Sequence, residues 1–127
     1  MSHKFDPRRP LIIARVKLFG PSKDVMIDMA LDTGATSSLI GWHALQIVGY
    51  DASDTLEFVK MTTGNGIVDA PKIKVKRLEA LGERRLGLNV VGHTLPPSTS
   101  VDGLLGLDFF RKRRLTIDFR KNLVKVD

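Results

Sequence analysis

Asp32-Thr33-Gly34 sets a carboxylate, a hydroxyl and a turn-permitting glycine side by side, directly after the apolar run Val25 to Leu31. Ala35-Thr36-Ser37-Ser38-Leu39-Ile40 follows, and Gly103-Leu104-Leu105-Gly106 comes well downstream. Such a turn can hold a carboxylate at the rim of a rigid sheet. Gly34 lets the backbone bend there without a Cβ clash, and nearby backbone N–H groups can fix the plane of the carboxylate. The Thr33 hydroxyl is expected to point away from anything bound at Asp32. Gly103 and Gly106 would allow close approach while Leu104 and Leu105 pack beneath the turn.

The chemistry open to a lone carboxylate is limited. Hydrolysing an amide with water and no metal needs a base for the water and an acid for the carbonyl. Two carboxylates about 3 Å apart supply both, because they cannot both ionise and so share one proton. No second carboxylate in the chain fits that role. Asp28 lies on the same strand face as Asp32, but four residues of strand separate them by roughly 13 Å. Asp102 precedes Gly103 and could lie near the site, yet Val101-Asp102-Gly103 lacks the threonine and the preceding apolar strand. A twofold axis between two copies of Asp32 gives the geometry directly, so a homodimer with half a site per chain is expected.

The elements that must position these residues are mostly strands. Ala14, Val16 and Leu18 alternate with Arg15 and Lys17 before Gly20-Pro21-Ser22. Val25, Ile27, Met29 and Leu31 alternate in the next strand, which runs straight into Asp32. Ser38 to Ile40 reads as a short strand, and Trp42 to Val48 as a short helix ended by Gly49. Trp42 is expected to pack that helix on the core. Residues 55–61 and 67–78 flank Thr62-Thr63-Gly64-Asn65-Gly66, where Asn-Gly signals a hairpin because both residues tolerate positive φ. A slip in alternation near Arg77-Leu78 implies a bulge or bend. Leu86, Leu88 and Val90 mark a further strand. Asp108 is expected to N-cap a helix over 109–113 anchored by Phe109 and Phe110, and residues 115–126 form a hairpin turning at Arg120-Lys121-Asn122.

Composition bounds the function. The 127 residues are 43% hydrophobic, with eleven glycines and six prolines, mostly between apolar runs, which suits one loop-rich β domain. We expect an extension over 1–10 and the domain over 11–127. With no cysteines and with His3, His43 and His93 scattered, no metal site and no cofactor is expected. The net charge of +6 and the run Arg111-Lys112-Arg113-Arg114 invite a nucleic-acid surface. However, Lys72, Lys74 and Lys76 alternate with Ile73 and Val75 as on the wet face of a strand. Aromatics are only 6% and none interleaves with the basic residues as a stacking platform requires. A solvated basic surface is therefore the better account, and nucleic acid is not an expected partner. No apolar stretch nears the roughly 18 residues that cross a bilayer, so no membrane segment is expected. The N-terminus lacks the apolar middle of a secretion signal, and a soluble, cytoplasmic domain is the expectation.

Leu31-Asp32-Thr33-Gly34-Ala35, the hairpin around Gly64-Asn65-Gly66, and Gly103-Leu104-Leu105-Gly106-Leu107-Asp108-Phe109-Phe110 follow one another in retropepsin order and spacing. Over roughly residues 11 to 126 the chain resembles a retropepsin-like aspartic protease, nearer the cellular and bacterial single-domain members than the viral ones. The resemblance implies an all-β, closed acid-protease barrel with a flap hairpin and one or two short helices. It further implies an obligate homodimer that cleaves peptide or protein substrates with Asp32 of both subunits, in the setting of Thr33 and Gly34. Ala35, Thr62, Thr63, Gly64, Asn65 and Gly66 become substrate-binding candidates, the hairpin adding to an extended peptide as a strand. Gly103, Leu104, Leu105 and Gly106 become structural support for the site.

Departures from the viral pattern carry information. Viral members pair an acidic residue two positions after the triplet glycine with an Arg after the second glycine motif; here those positions are Thr36 and Leu107. Asp108 is expected to tie loop and helix instead, and a dimer seam unlike the viral one is expected. Ala35 cannot donate the extra hydrogen bond to the carboxylate pair that a Ser or Thr would, so activity should reach further toward neutral pH. A rival function is a protease-fold peptide-binding or dimerisation module that cleaves weakly, since cleft shape decides whether a substrate is held in near-attack geometry.

Overall fold

Alternation of apolar and polar residues builds the first hairpin. In the computed structural model, which describes Met1–Asp127, β2 (Ile13–Phe19) buries Ala14, Val16 and Leu18 and turns at Pro21-Ser22 into β3 (Asp24–Leu31). Val16 lies opposite Ile27, so both strands aim the same face inward. A short strand β1 (Ser2–Lys4) precedes them. After the Asp32 turn come β4 (Leu39–Ile40) and α1 (Trp42–Ile47), whose end is marked by Gly49 at φ 105°. The long pair β5 (Thr55–Thr63) and β6 (Gly66–Ala80) follows, then β7 (Glu83–Gly92) and β8 (Gly103–Leu105). The chain closes with α2 (Leu107–Phe110), β9 (Leu115–Asp118) and β10 (Leu123–Val126).

The order β2-β3-β8-β4-β7-β6 is closed by pairing of β6 with β2, which makes a six-stranded barrel with β5 as its outlying edge. The expected all-β barrel with two short helices is thus present. β8 inserts between β3 and β4, parallel to one and antiparallel to the other, although those two are neighbours in sequence. Leu18, Met29, Ile40, Leu45, Val75, Leu78, Leu105 and Phe109 fill the interior. Trp42 packs on this core from the helix, and Phe109 and Phe110 anchor α2, as expected. No helix is long and apolar enough to cross a membrane.

Three details differ from the sequence expectation. The slip in β6 falls at Lys76, whose N–H leaves the β7 ladder and donates to Tyr50 Oη at 2.7 Å, opposite Gly87 at φ 65°. The inward face of β6 changes there from Ile73 and Val75 to Leu78 and Ala80. β7 turns with it, so Leu86 is 70% exposed and does not share the inner face with Val90. The β5–β6 hairpin forms where Asn-Gly predicts it, but Thr63 pairs with Gly66 and only Gly66 takes positive φ, at 114°, leaving Asn65 in an ordinary conformation. At the far end, β1 of the N-terminal extension pairs with β10, so the terminal hairpin becomes a three-stranded sheet, β1-β10-β9.

Candidate active site

β3 delivers its last residue, Leu31, to the rim of the barrel, and the chain turns at once. The Asp32 N–H donates to Leu105 O at 2.9 Å, so β8 holds the base of the turn. Ala35 N–H donates back to Asp32 O at 3.2 Å, closing it. Gly34 N–H donates to Asp32 Oδ1 at 2.9 Å, which fixes the carboxylate plane as the Asp-Thr-Gly order leads one to expect. Thr33 is exposed, and its hydroxyl has no partner within the chain.

Below the turn, the second glycine element does what its composition suggests. Leu107 N–H donates to Ala35 O at 2.8 Å. A Cβ on Gly106 would stand 2.7 Å from Ala35 O and 2.9 Å from Ser37 C, and one on Gly103 would strike Leu39 O. A side chain at Gly106 would displace the Asp32 loop, and one at Gly103 would displace β4. Leu105 is fully buried, and Leu104 reaches the cleft.

A polar knot fastens the two elements. Ser38 is fully buried; its Oγ donates to Asp108 Oδ1 at 2.7 Å and accepts from Gly106 N–H at 3.0 Å. Asp108 Oδ2 accepts from Ser38 N–H at 2.8 Å. Asp108 therefore ties loop to helix as expected, but it is not the N-cap. Gly106 holds that position without a side-chain bond, and the helix spans 107–110 instead of 109–113. The carboxylate is already committed to Ser38, which explains why it does not cap.

The cleft beside Asp32 encloses about 660 Å³. Its floor and walls include Asp32, Gly34, Ala35, Leu39 and Leu104, and the β5–β6 hairpin contributes Val59, Lys60, Met61 and Thr62. Of the hairpin candidates only Thr62 lines it; Thr63, Gly64, Asn65 and Gly66 form the tip beyond, where Thr63 Oγ1 bonds to Gly66 O at 3.0 Å. Asp32 is the one acid in the lining. Asp102 is engaged elsewhere, its Oδ2 accepting from Asp28 N–H at 2.9 Å, and Asp28 pairs with Arg15 at 3.0 Å. A more open hollow of about 510 Å³ lies by the β6–β7 turn. Its Lys17 and Arg77 are paired with Asp24 and Glu79, and it holds no turn-fixed carboxylate.

Sequence reasoning missed Thr36, Ser37, Leu39, Val59, Lys60, Met61, Lys72 and Val91 as cleft residues. Lys72 is instructive. Alternation correctly kept it out of the core, but the outer face of β6 at that point turns toward the Asp32 loop, where Lys72 Nζ meets Ser37 Oγ at 3.2 Å. Nothing in the local pattern distinguishes it from Lys74, which faces water.

Comparison with known proteins agrees with this geometry. Residues 22–112 match the family described as "gag-polyprotein putative aspartyl protease". Among solved structures, the chain is similar to a retropepsin-like aspartic protease from Rickettsia conorii, with a TM-score of 0.73 at 19% identity over 98% of this chain and 86% of that one. No curated protein matches the sequence.

Proposed function

The chain belongs to the gag-polyprotein aspartyl protease family and has a retropepsin-like fold, and from that membership we propose that it is an aspartic endopeptidase whose active site forms across a homodimer. The observation that carries the proposal is the Asp32 carboxylate, fixed by Gly34 N–H at the rim of an open cleft in which it is the one acid. A single carboxylate cannot be both base and acid in one step. A second copy, related by a twofold axis, would bring the two Asp32 groups together to share a proton. The ionised member takes a proton from water as the water attacks the peptide carbonyl, and the protonated member gives its proton to the carbonyl oxygen. The proton taken from water then passes to the leaving amine as the C–N bond breaks, and the diol returns a proton to the other carboxylate.

Two further features support this reading. Thr33 and Gly34 are exposed on the isolated protomer, and the unpartnered Thr33 hydroxyl is free to bond the opposing loop. The β5–β6 hairpin already walls the cleft with Val59, Met61 and Thr62, and as a flap its tip, Thr63 to Gly66, would descend on an extended peptide.

Digestion of a peptide library by the native chain and by Asp32→Asn, with a pepstatin-type transition-state mimic as control, tests the proposal. Asp32→Asn should lower turnover at least about a thousandfold, the scale of lost acid–base catalysis. Turnover that survives the substitution would assign the cutting to another group. Peptide binding without turnover in the native chain would favour the binding-module alternative.

A further inference from the structure

Lys72 is the cation of this cleft that lacks a counter-charge. Of the two lysines in the lining, Lys60 pairs with Asp69 at 3.1 Å across the hairpin, where both side chains are mostly exposed. Lys72 makes no ion pair. Glu57 sits opposite it in the β5–β6 ladder without reaching it, and its partner is the neutral Ser37 hydroxyl. That bond satisfies one of the three N–H donors of the ammonium. Leu39, Val59, Met61, Val91 and Leu104 give the cleft an apolar side, next to the polar Thr36, Ser37 and Thr62. A half-buried charge beside such a wall is under-compensated, and a carboxylate arriving there gains a charge-assisted hydrogen bond.

Resting on the peptide-cleaving reading of the cleft, we propose that Lys72 makes this site select a substrate side chain with an apolar stem and a carboxylate tip, glutamate above all. The stem lies against the aliphatic wall and the carboxylate meets Lys72 Nζ beside Ser37. Glutamine has the same shape without the charge, so a Glu/Gln pair isolates the ionic contribution. Asp32, itself acidic, sits at the other requirement of the site, the scissile bond, and Lys72 offsets the repulsion it would exert on an acidic substrate.

The test uses matched extended peptides that differ by Glu or Gln at one position at a time. Cleavage is measured with the native chain, and binding by fluorescence polarisation with Asp32→Asn. One position should favour Glu about fivefold in both assays, the effect of a partly exposed ion pair. Lys72→Met should erase the preference, Lys72→Arg should keep it, and Lys72→Glu should reverse it toward Gln, each variant first shown to melt cooperatively. Equal treatment of Glu and Gln at every position, or a preference that survives Lys72→Met, overturns the inference. Glu-selective binding by Asp32→Asn together with no cleavage by the native chain would overturn the protease reading and leave the Lys72 subsite supported.

Discussion

At the scale of single residues, the geometry at Asp32 depends on its neighbours as well as on its own carboxylate. Ser38 Oγ is a hinge pin between the Asp32 loop and the Gly106 turn, donating to one partner and accepting from another in a fully buried position. Ser38→Ala leaves Gly106 N–H without its acceptor and strips Asp108 of a donor. Loss of one such buried partner costs about 1–3 kcal/mol, which urea denaturation should reveal as a lower midpoint at unchanged slope. Ala35 acts by omission. A serine hydroxyl there would favour the ionised carboxylate pair, so the native chain should retain activity toward neutral pH, and Ala35→Ser should move the profile to more acidic pH. A native profile confined below about pH 4 would contradict this.

At the scale of elements, Tyr50 holds the bend of the barrel. It accepts from Lys76 N–H and donates to Phe19 O at 3.1 Å, bridging β6 to β2 where the inward face of β6 switches. Burial pushes its phenol above the ordinary value of 10.0 and Asp54 adds to this, while the Lys76 hydrogen bond opposes it. A phenol whose folded value is raised contributes stability that is complete below the unfolded value and is lost as pH rises through the folded one. Tyr50 is the only tyrosine of the chain, so phenolate absorbance reports it alone. The absorbance should rise at higher pH in the folded chain than in denaturant. Coincident curves would mean that the burial of this phenol does not persist in solution.

At the scale of the whole molecule, the proposed dimer would make activity a property of the pair. Native chain mixed with an equal amount of Asp32→Asn should fall to about half its activity alone, as inactive heterodimers take up native protomers. Unchanged activity would show that one protomer suffices. Within one chain, β1, β10 and β9 already form a sheet. The two ends of the chain are thus paired with each other within one protomer. Phe119, 70% exposed and edge-to-face with Phe5 at 6.0 Å, lies just beyond β9.

Local pattern alone specified the alternating strands 13–19 and 24–31, the Asp32 turn, the β5–β6 hairpin and the helix after Ile40. Each of these follows from neighbours in sequence: period-two burial, a turn-forming glycine, an apolar run stopped by a turn. Tertiary structure decided the rest. Asp108 looked like a cap and became a strut because Ser38, far away in sequence, reached it first. Leu86 looked like core and became surface because β6 and β7 turn over together at Lys76 and Gly87. Lys72 looked like a solvated lysine and entered the cleft because β6 passes beside the Asp32 loop. A side chain's neighbours along the chain set its backbone; what it faces depends on segments brought near by folding, and the chemistry of the cleft belongs to that second set.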